Sequence, residues 1–282
     1  MVEDRKIRRT LAPQTPSSPP PPASTHTTVL FSEPESQLPE HLPSVEEIEN
    51  SPHVLKKLFS RRAVRVGEHY VVKYGTEVAP TEGENMIFAR QHLKSLVPRV
   101  FAIYQRPGKG SSLITYIGTI HESQRLEVVN VLRNAFRIIR NLPAPDFFGG
   151  LGMTKPKDDI FWTREPDVAR NGPFKTEEDL VHAIILRYRG ENGGLLNQKA
   201  DYYCLFTHGD FQRKNIMIGS GGRVAILDWA FSGWYPTWWE YSITITGCGA
   251  WKDDWHSYIP KVLDEFPSQH VWLHLLRLEM WS

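Results

Sequence analysis

Residues 205–228 read LFTHGDFQRKNIMIGSGGRVAILD, and this stretch decides the fold that we predict. Two short apolar runs flank a glycine-rich turn at 219–222, a pattern that predicts a β-hairpin. The second strand of this hairpin ends at Asp228, whereas Asp210 and Asn215 precede the first strand. We therefore expect two carboxylates and one amide to lie close together in the folded chain.

These polar side chains suit phosphoryl transfer. This reaction depends on positioning the reactants and neutralising phosphate charge more than on covalent bonds between protein and substrate. In this interpretation Asp210 is the base that accepts the proton of the attacking hydroxyl, and Asn215 and Asp228 bind Mg²⁺. Mg²⁺ prefers a few hard oxygen ligands and retains waters, so one amide and one carboxylate suffice. Gly209 would let the chain turn tightly beside the base. The alternative is structural, with the same residues closing a polar loop.

The spacing of these residues resembles the catalytic segment of the aminoglycoside phosphotransferase and choline kinase-like family. The resemblance is carried by His208-Gly209-Asp210, Asn215, Asp228-Trp229 and the downstream element Gly233-Trp234-Tyr235-Pro236. It implies an α+β, bilobal protein kinase-like fold, with a small antiparallel sheet lobe and a mostly helical lobe. It also implies ATP- and Mg-dependent transfer of the γ-phosphate to a hydroxyl of a small-molecule acceptor. Asp210 would be the base, with His208 beside it in the catalytic set.

The expected small lobe contains two antiparallel strands, at 63–66 and 70–74, joined by a turn. Lys73 lies near the end of the second strand, where the resemblance implies a lysine that binds the nucleotide phosphates. No GxGxxG pattern lies between these strands, so a short turn would cover the phosphates. Upstream, the apolar residues of segment 54–59 predict a short helix.

A helix predicted at 81–94 is expected to supply the partner of Lys73. Thr81 followed by Glu84 indicates a cap at the start of this helix, and we expect Glu84 to form an ion pair with Lys73. Glu82 is the alternative, because it lies only two residues earlier. The ion pair would aim the lysine at phosphate rather than supply much stability.

The connection between the lobes is expected at Tyr116 and Ile117, where the resemblance implies that backbone groups bind adenine. The large lobe then begins with a helix at 122–142, whose apolar residues repeat at spacings of three and four. Aromatic residues in the long loop 146–175 are expected to anchor that loop on the core, and the alternative is that they line a substrate pocket. A further helix is expected to begin at Thr176.

Residues 1–45 differ in composition from the rest of the chain. A run of Pro, Ser and Thr at 13–22 cannot bury apolar surface, so we expect a disordered, Pro-rich tail over 1–45. A solvated tail is the main interpretation, and a ligand for a proline-binding domain or a targeting arm is the alternative. The kinase-like domain is expected over 46–282, with the small lobe at about 50–117 and the large lobe at about 118–282.

The overall composition argues against several classes of protein. A net charge of +1 and a pI near 7.8 give no field that would attract nucleic acid or an acidic membrane. We find no apolar run long enough for a membrane span and no apolar core of a signal peptide. The cysteines Cys204 and Cys248 form neither a disulfide framework nor a metal motif, so we expect a cytoplasmic protein.

Two other functions stay open at this point. The first is a pseudokinase, a nucleotide- or ligand-binding module without turnover, which the missing glycine pattern favours. The second is a metallophosphoesterase, which also uses Gly-Asp and Asn but needs further His and Asp ligands. The acceptor could be an aminoglycoside, choline, a sugar, an amino acid or a protein side chain.

Overall fold

A computed structural model of the chain describes residues 27–106, 110–115, 125–192, 203–219, 222–248 and 254–280. Within these residues, an antiparallel sheet of six strands forms the small lobe. Its strands are β1 (Thr28–Ser32), β2 (His53–Lys57), β3 (Arg61–Val66), β4 (Tyr70–Gly75), β5 (Val100–Arg106) and β6 (Gly110–Thr115). Their order across the sheet is β1-β5-β6-β4-β3-β2, so β1 and β2 are the edge strands.

Helices dominate the large lobe, which also contains two small sheets of two strands each. The α-helices of the described residues in both lobes are α1 (Val45–Glu49), α2 (Pro80–Leu93), α3 (Arg125–Arg140), α4 (Val168–Asn171), α5 (Glu177–Asn192), α6 (Trp239–Gly247), α7 (Ile259–Val262) and α8 (Pro267–Met280). The remaining strands are β7 (Cys204–Thr207), β8 (Ile216–Ile218), β9 (Val224–Ile226) and β10 (Gly233–Pro236). β7 pairs with β10, and β8 pairs with β9 as the predicted hairpin. In the part of the chain that is described, no helix is both long and apolar enough to span a membrane.

The core of the molecule lies on both sides of the sheet and continues into the large lobe. Helix α2 buries Met86 in the same apolar cluster as Ile103 of β5 and Phe136 of α3. The opposite face of the sheet buries Val72 of β4 with Ile48 of α1. Each such side chain contributes roughly 1.5–3 kcal/mol by leaving water. The shared cluster ties the small lobe to the large one through α2.

The tail predicted at 1–45 ends earlier than the sequence indicates. Strand β1 pairs antiparallel with β5, and the hydroxyl of Tyr70 donates a hydrogen bond to the carbonyl oxygen of Glu40 at 2.5 Å. The prediction of disorder was therefore wrong for residues 28–45, because composition does not reveal an edge strand whose partner is distant in sequence. Residues 1–26 lie outside the described residues, and their predicted disorder stays a prediction.

The helix predicted at 54–59 was also wrong, because strand β2 occupies His53–Lys57 and every one of its side chains is exposed. Pairing with β3 outweighs the local helical pattern there. The helices predicted to follow residue 122 and Thr176 are confirmed by α3 and α5. Phe148, Phe161 and Phe174 are buried and anchor the long loop on the core as predicted, whereas Trp162 of the same loop is exposed.

Candidate active site

Lys73 bonds to two carboxylates that come from different parts of the chain. Its Nζ lies 2.7 Å from Oε1 of Glu82 on α2 and 2.9 Å from Oδ1 of Asp228, which follows β9. The neighbouring Val72 is fully buried on the opposite face of the sheet, and residues alternate along a strand, so Lys73 faces the large lobe. The structure thus brings together the lysine and the second aspartate that the sequence singled out.

The partner of Lys73 is Glu82 and not Glu84, which corrects our preference. The side chain of Glu82 is only 5% exposed, whereas Glu84 faces solvent. Helix α2 begins at Pro80 with Ala79 as its N-cap, so Thr81 lies inside the helix and does not cap it. Successive helical residues are about 100° apart, so residues two apart point to nearly opposite sides and only one can reach Lys73.

The charge of Lys73 outweighs burial at Asp228 but not at Glu82. Burial works against the ammonium of Lys73, yet Glu82 and Asp228 together raise its pKa. Burial also works against the charged form of Asp228, but Lys73 outweighs it and lowers the pKa of this carboxyl. Glu82 is buried more deeply, and burial raises its pKa although Lys73 opposes the shift. Lys73 is therefore a fixed cation, and Asp228 a fixed anion, at neutral pH.

The loop between β7 and β8 is organised around the imidazole of His208. Its Nε2 donates to the carbonyl oxygen of Leu227 at 2.9 Å, and its Nδ1 accepts the N–H of Asp210 at 3.2 Å. Burial lowers the pKa of His208, in keeping with a neutral ring protonated at Nε2. The ring is fully buried, and its two nitrogens bond to backbone groups of Leu227 and Asp210. The place of His208 in the predicted catalytic set stays a prediction.

Gly209 and Glu240 shape the turn beside Asp210. Gly209 has a φ of +80°, and a Cβ there would lie 2.5 Å from the carbonyl oxygen of Phe231, so only glycine fits. The buried carboxylate of Glu240 accepts the backbone N–H groups of His208 and Gly209 at 2.5 and 3.1 Å. Burial raises the pKa of Glu240 to about 7, although these bonds oppose the shift.

Asp210 itself is held by side chains of its own loop. Asn215 donates from Nδ2 to the backbone oxygen and to Oδ2 of Asp210, both at 2.8 Å. Gln212 donates to Oδ1 at 2.5 Å, and Nζ of Lys214 lies 3.4 Å from Oδ2. We did not single out Lys214 from the sequence, although its position next to Asn215 and four residues after Asp210 was a usable signal.

A cavity of about 210 Å³ lies between the sheet and this loop, and Lys73, Asn215 and Asp228 all line it. Its apolar lining comes from both lobes and includes Ala63, Val71, Met86 and Leu227. The predicted adenine-binding residues Tyr116 and Ile117 lie outside the described residues, so their role stays a prediction. The cavity is therefore lined by both charged and apolar side chains.

Sequence reasoning missed a second polar contact made by α2. Asn85 is almost fully buried, and its Nδ2 donates to the carbonyl oxygens of Trp229 and Ser232 at 2.8 and 3.3 Å. It lies three residues after Glu82 and thus on the same side of the helix. The signal in the sequence was this polar pair at helical spacing. One helix therefore positions both Lys73 and the segment that follows Asp228.

A model of the phosphotransferase enzyme family, APH, matches residues 53–261 of the chain. None of the curated proteins compared with the chain matches it. A candidate fructosamine-3-kinase from Haemophilus somnus 129PT is similar in structure, with 12% identity and a TM-score of 0.51, over 84% of this chain and 87% of that one. Aminoglycoside phosphotransferase APH(4)-Ia is similar with 16% identity and a TM-score of 0.50, over 84% and 85% of the two chains. The chain therefore belongs to the phosphotransferase enzyme family and has the protein kinase-like fold.

Proposed function

We propose that this protein is an ATP- and Mg²⁺-dependent phosphotransferase that moves the γ-phosphate to a hydroxyl of a small-molecule acceptor. The observation that carries the proposal is the convergence of Lys73, Asn215 and Asp228 on one cavity, with Asp210 bonded directly to Asn215. Membership of the family supports phosphoryl transfer as the chemistry. The acceptor is a hydroxyl-bearing small molecule, and an aminoglycoside is one candidate among several.

Lys73 has the contacts of a residue that holds phosphate in place. Glu82 and Asp228 restrain its ammonium from two sides, so that the charge is directed into the cavity before any ligand binds. A fixed ammonium binds phosphate oxygens as a point charge and needs no reorganisation. Apolar residues that line the cavity, such as Val71 and Leu227, suit the adenine ring of the same nucleotide.

Asp210 has the contacts of a base with a fixed orientation. The hydrogen bonds from Asn215 and Gln212 hold both carboxylate oxygens. In the transfer, the acceptor oxygen bonds to the γ-phosphorus while the bond to the bridging β–γ oxygen breaks, and ADP leaves. The proton of the acceptor hydroxyl passes to the carboxylate of Asp210.

The donor atoms present in the cavity fit Mg²⁺. Nδ2 of Asn215 is used by Asp210, which leaves the amide oxygen for a cation, and Asp228 retains Oδ2 beside its contact with Lys73. One amide and one carboxylate oxygen match the few protein ligands that Mg²⁺ takes beside waters and substrate phosphates. Bound there, Mg²⁺ would neutralise negative charge on the phosphate oxygens.

The substitution Asp210→Asn tests the role of the base. The amide keeps the size of the side chain but cannot accept the proton, so phosphate transfer should slow by ~10²–10⁴-fold while Mg²⁺-ATP affinity stays near that of the parent. The measurement is single-turnover transfer to an acceptor found in a metabolite screen, with nucleotide affinity determined in parallel. Asp146→Asn, at an exposed aspartate, is the matched control. Equal transfer rates for parent and Asp210→Asn would exclude Asp210 as the base.

A nucleotide-binding module without turnover is the second candidate, and the contact between Lys73 and Asp228 favours it. At 2.9 Å the ammonium competes with a metal ion for that carboxylate. If the parent and Asp210→Asn both bind Mg²⁺-ATP but neither transfers phosphate to any acceptor, this second candidate is correct. In the described part of the chain, no group of three or more His, Cys, Asp or Glu side chains could hold a metal. The structure therefore offers no support for the ligand-rich site of a metallophosphoesterase.

We also propose that the protein works in the cytoplasm and that its tail recruits a partner. The chain has two cysteines, too few for a disulfide framework, which suits a reducing compartment. The Pro-rich run at 13–22 has the composition of a ligand for a proline-binding domain. Removal of that run should abolish such binding and leave phosphate transfer unchanged.

A further inference from the structure

The hairpin formed by β2 and β3 places three basic residues on the cavity that holds Lys73. Lys56 of β2, with Arg61 and Arg62 of β3, all line this cavity. In the sheet register Lys56 lies beside Ala63, and Ala63 lies beside Lys73 on β4. The basic residues of the hairpin are therefore neighbours of the lysine proposed to bind phosphate.

The tip of this hairpin is held against β4 by a close backbone approach. Gly75 has a φ of +141°, and a Cβ there would lie 2.1 Å from the carbonyl oxygen of Ser60 and 2.7 Å from Cα of Arg61. The N–H of Leu58 donates to the carbonyl oxygen of Arg61 at 2.9 Å, which closes the turn. The backbone that carries Arg61 is thus fixed at the mouth of the cavity.

The charges that line the cavity do not cancel. The basic residues that line it are Lys56, Arg61, Arg62, Lys73 and Lys214. The acidic residues that line it are Glu82 and Asp228, and both already bond to Lys73. Lys214 pairs with Asp210. Within the described residues, the three basic residues of the hairpin form no salt bridge.

Arg61 lies on the same cavity as Asp228 and Lys73. In the sheet register it pairs with Gly75, two residues after Lys73 on β4. A ligand with several negative charges would neutralise the excess of positive charge between the hairpin and Lys73.

We propose that the basic residues of this hairpin, Lys56, Arg61 and Arg62, bind the phosphate chain of the nucleotide. Their side chains supply the hydrogen bonds to phosphate that a glycine-rich turn supplies through its backbone amides. The turn at 58–60 is Leu-Phe-Ser and contains no glycine. Guanidinium groups bind phosphate oxygens through two parallel hydrogen bonds, a contact that needs no close approach of the backbone. This inference rests on the proposed function, because it concerns the same nucleotide site.

Two properties follow from phosphate binding by side-chain charge. Affinity should rise from adenosine through AMP and ADP to ATP, since each added phosphate gains basic partners. Affinity for ATP should also fall as the salt concentration rises, because the hairpin charges are partly exposed to solvent. Inorganic triphosphate should compete with ATP for the site, even when EDTA removes divalent cations.

The test compares Lys56→Gln, Arg61→Gln and Arg62→Gln with the matched control Lys57→Gln, which lies on the same hairpin but does not line the cavity. Binding of adenosine, ATP and inorganic triphosphate is measured by calorimetry, with melting temperature as a check of folding. We expect Arg61→Gln to lower the affinity for ATP and for triphosphate by about tenfold or more and to leave the affinity for adenosine unchanged. Arg61→Lys should recover part of the loss, and Lys57→Gln should change nothing.

The outcomes separate this inference from the proposed function. If the parent binds ATP and the three hairpin variants bind it equally well, the inference is overturned and the phosphotransferase proposal stands. If the variants bind ATP and triphosphate more weakly, as expected, but the parent transfers no phosphate, the inference stands and the proposed catalysis fails. If the parent binds neither ATP nor triphosphate, both are overturned.

Discussion

At the residue scale, Glu82 makes the closest ionic contact with the proposed phosphate-binding lysine. Both of its oxygens lie within hydrogen-bonding distance of Nζ of Lys73, at 2.7 and 2.8 Å. Its neighbour on the helix, Glu84, is exposed and cannot make this contact. Two residues of the same type, two positions apart, therefore provide a substitution and its matched control.

We expect Glu82→Gln to weaken Mg²⁺-ATP binding and slow phosphate transfer by about 10- to 100-fold, because the variant loses a charged hydrogen-bond partner of Lys73. Glu84→Gln should alter both quantities less than twofold, since surface changes of this kind are nearly neutral. Nucleotide titration and single-turnover transfer check the pair. Similar losses in the two variants would show that Lys73 is not positioned by Glu82.

At the scale of elements, α6 supports the loop that carries Asp210 through one buried side chain. Glu240 lies in the first turn of α6 and accepts N–H groups from His208 and Gly209. The helix thereby fixes the backbone that precedes Asp210. Because Glu240 is fully buried, its protonation depends on pH in a range where exposed glutamates are already ionised.

The raised pKa of Glu240 predicts a pH dependence of stability. Burial raises this pKa from 4.5 to about 7 in the folded state, so the folded chain keeps a proton that the unfolded chain releases. The resulting stabilisation is fully present below about pH 4.5 and is lost as the pH rises towards 7, with a slope of up to ~1.4 kcal/mol per pH unit. Urea unfolding between pH 4.5 and 7.5 measures it.

The substitution Glu240→Gln should remove this contribution, because the amide does not titrate and still offers an oxygen to the two N–H groups. The difference in unfolding free energy between parent and variant should therefore change with pH over that interval. Glu178→Gln, at an exposed glutamate of α5, is the control and should follow the parent. A pH-independent difference for Glu240→Gln would mean that Glu240 titrates near its ordinary value.

At the scale of the whole molecule, the small lobe is completed by residues that precede the region matched by the family model. That match begins at residue 53, whereas β1 extends the sheet at Thr28–Ser32 and α1 covers one of its faces. Glu40 also accepts the N–H of His69 at 3.2 Å and the hydroxyl of Tyr70 at 2.5 Å. The N-terminal segment is therefore part of the folded lobe from Thr28 onward.

Two deletions separate the folded part of this segment from the rest. Removing residues 1–26 should leave the free energy of unfolding within about 0.5 kcal/mol of the parent, because that composition buries little apolar surface. Removing residues 1–40 should lower it by about 2–5 kcal/mol, since β1 and the Glu40 contacts contribute ~0.5–1.5 kcal/mol per hydrogen bond. Urea unfolding checks both, and equal stabilities for the two deletions would contradict the role of β1.

The sequence by itself determined the hairpin, the loop before it and the order of polar residues along both. Asp210, Asn215 and Asp228 come together because a glycine turn folds two short strands back on each other, and such a turn is a local property of the chain. Lys73 likewise follows an apolar run that predicts a strand. The arrangement of these polar residues could therefore be predicted from the local pattern of the chain.

Only the tertiary structure decided which side chains support these residues. The choice of Glu82 over Glu84 depends on where α2 begins and how it is rotated against the sheet, and both depend on packing. The basic hairpin and the buried Glu240 likewise act through partners that are distant in sequence. A sequence pattern reports the period of an element, whereas its rotation and register are set by the surface it packs against.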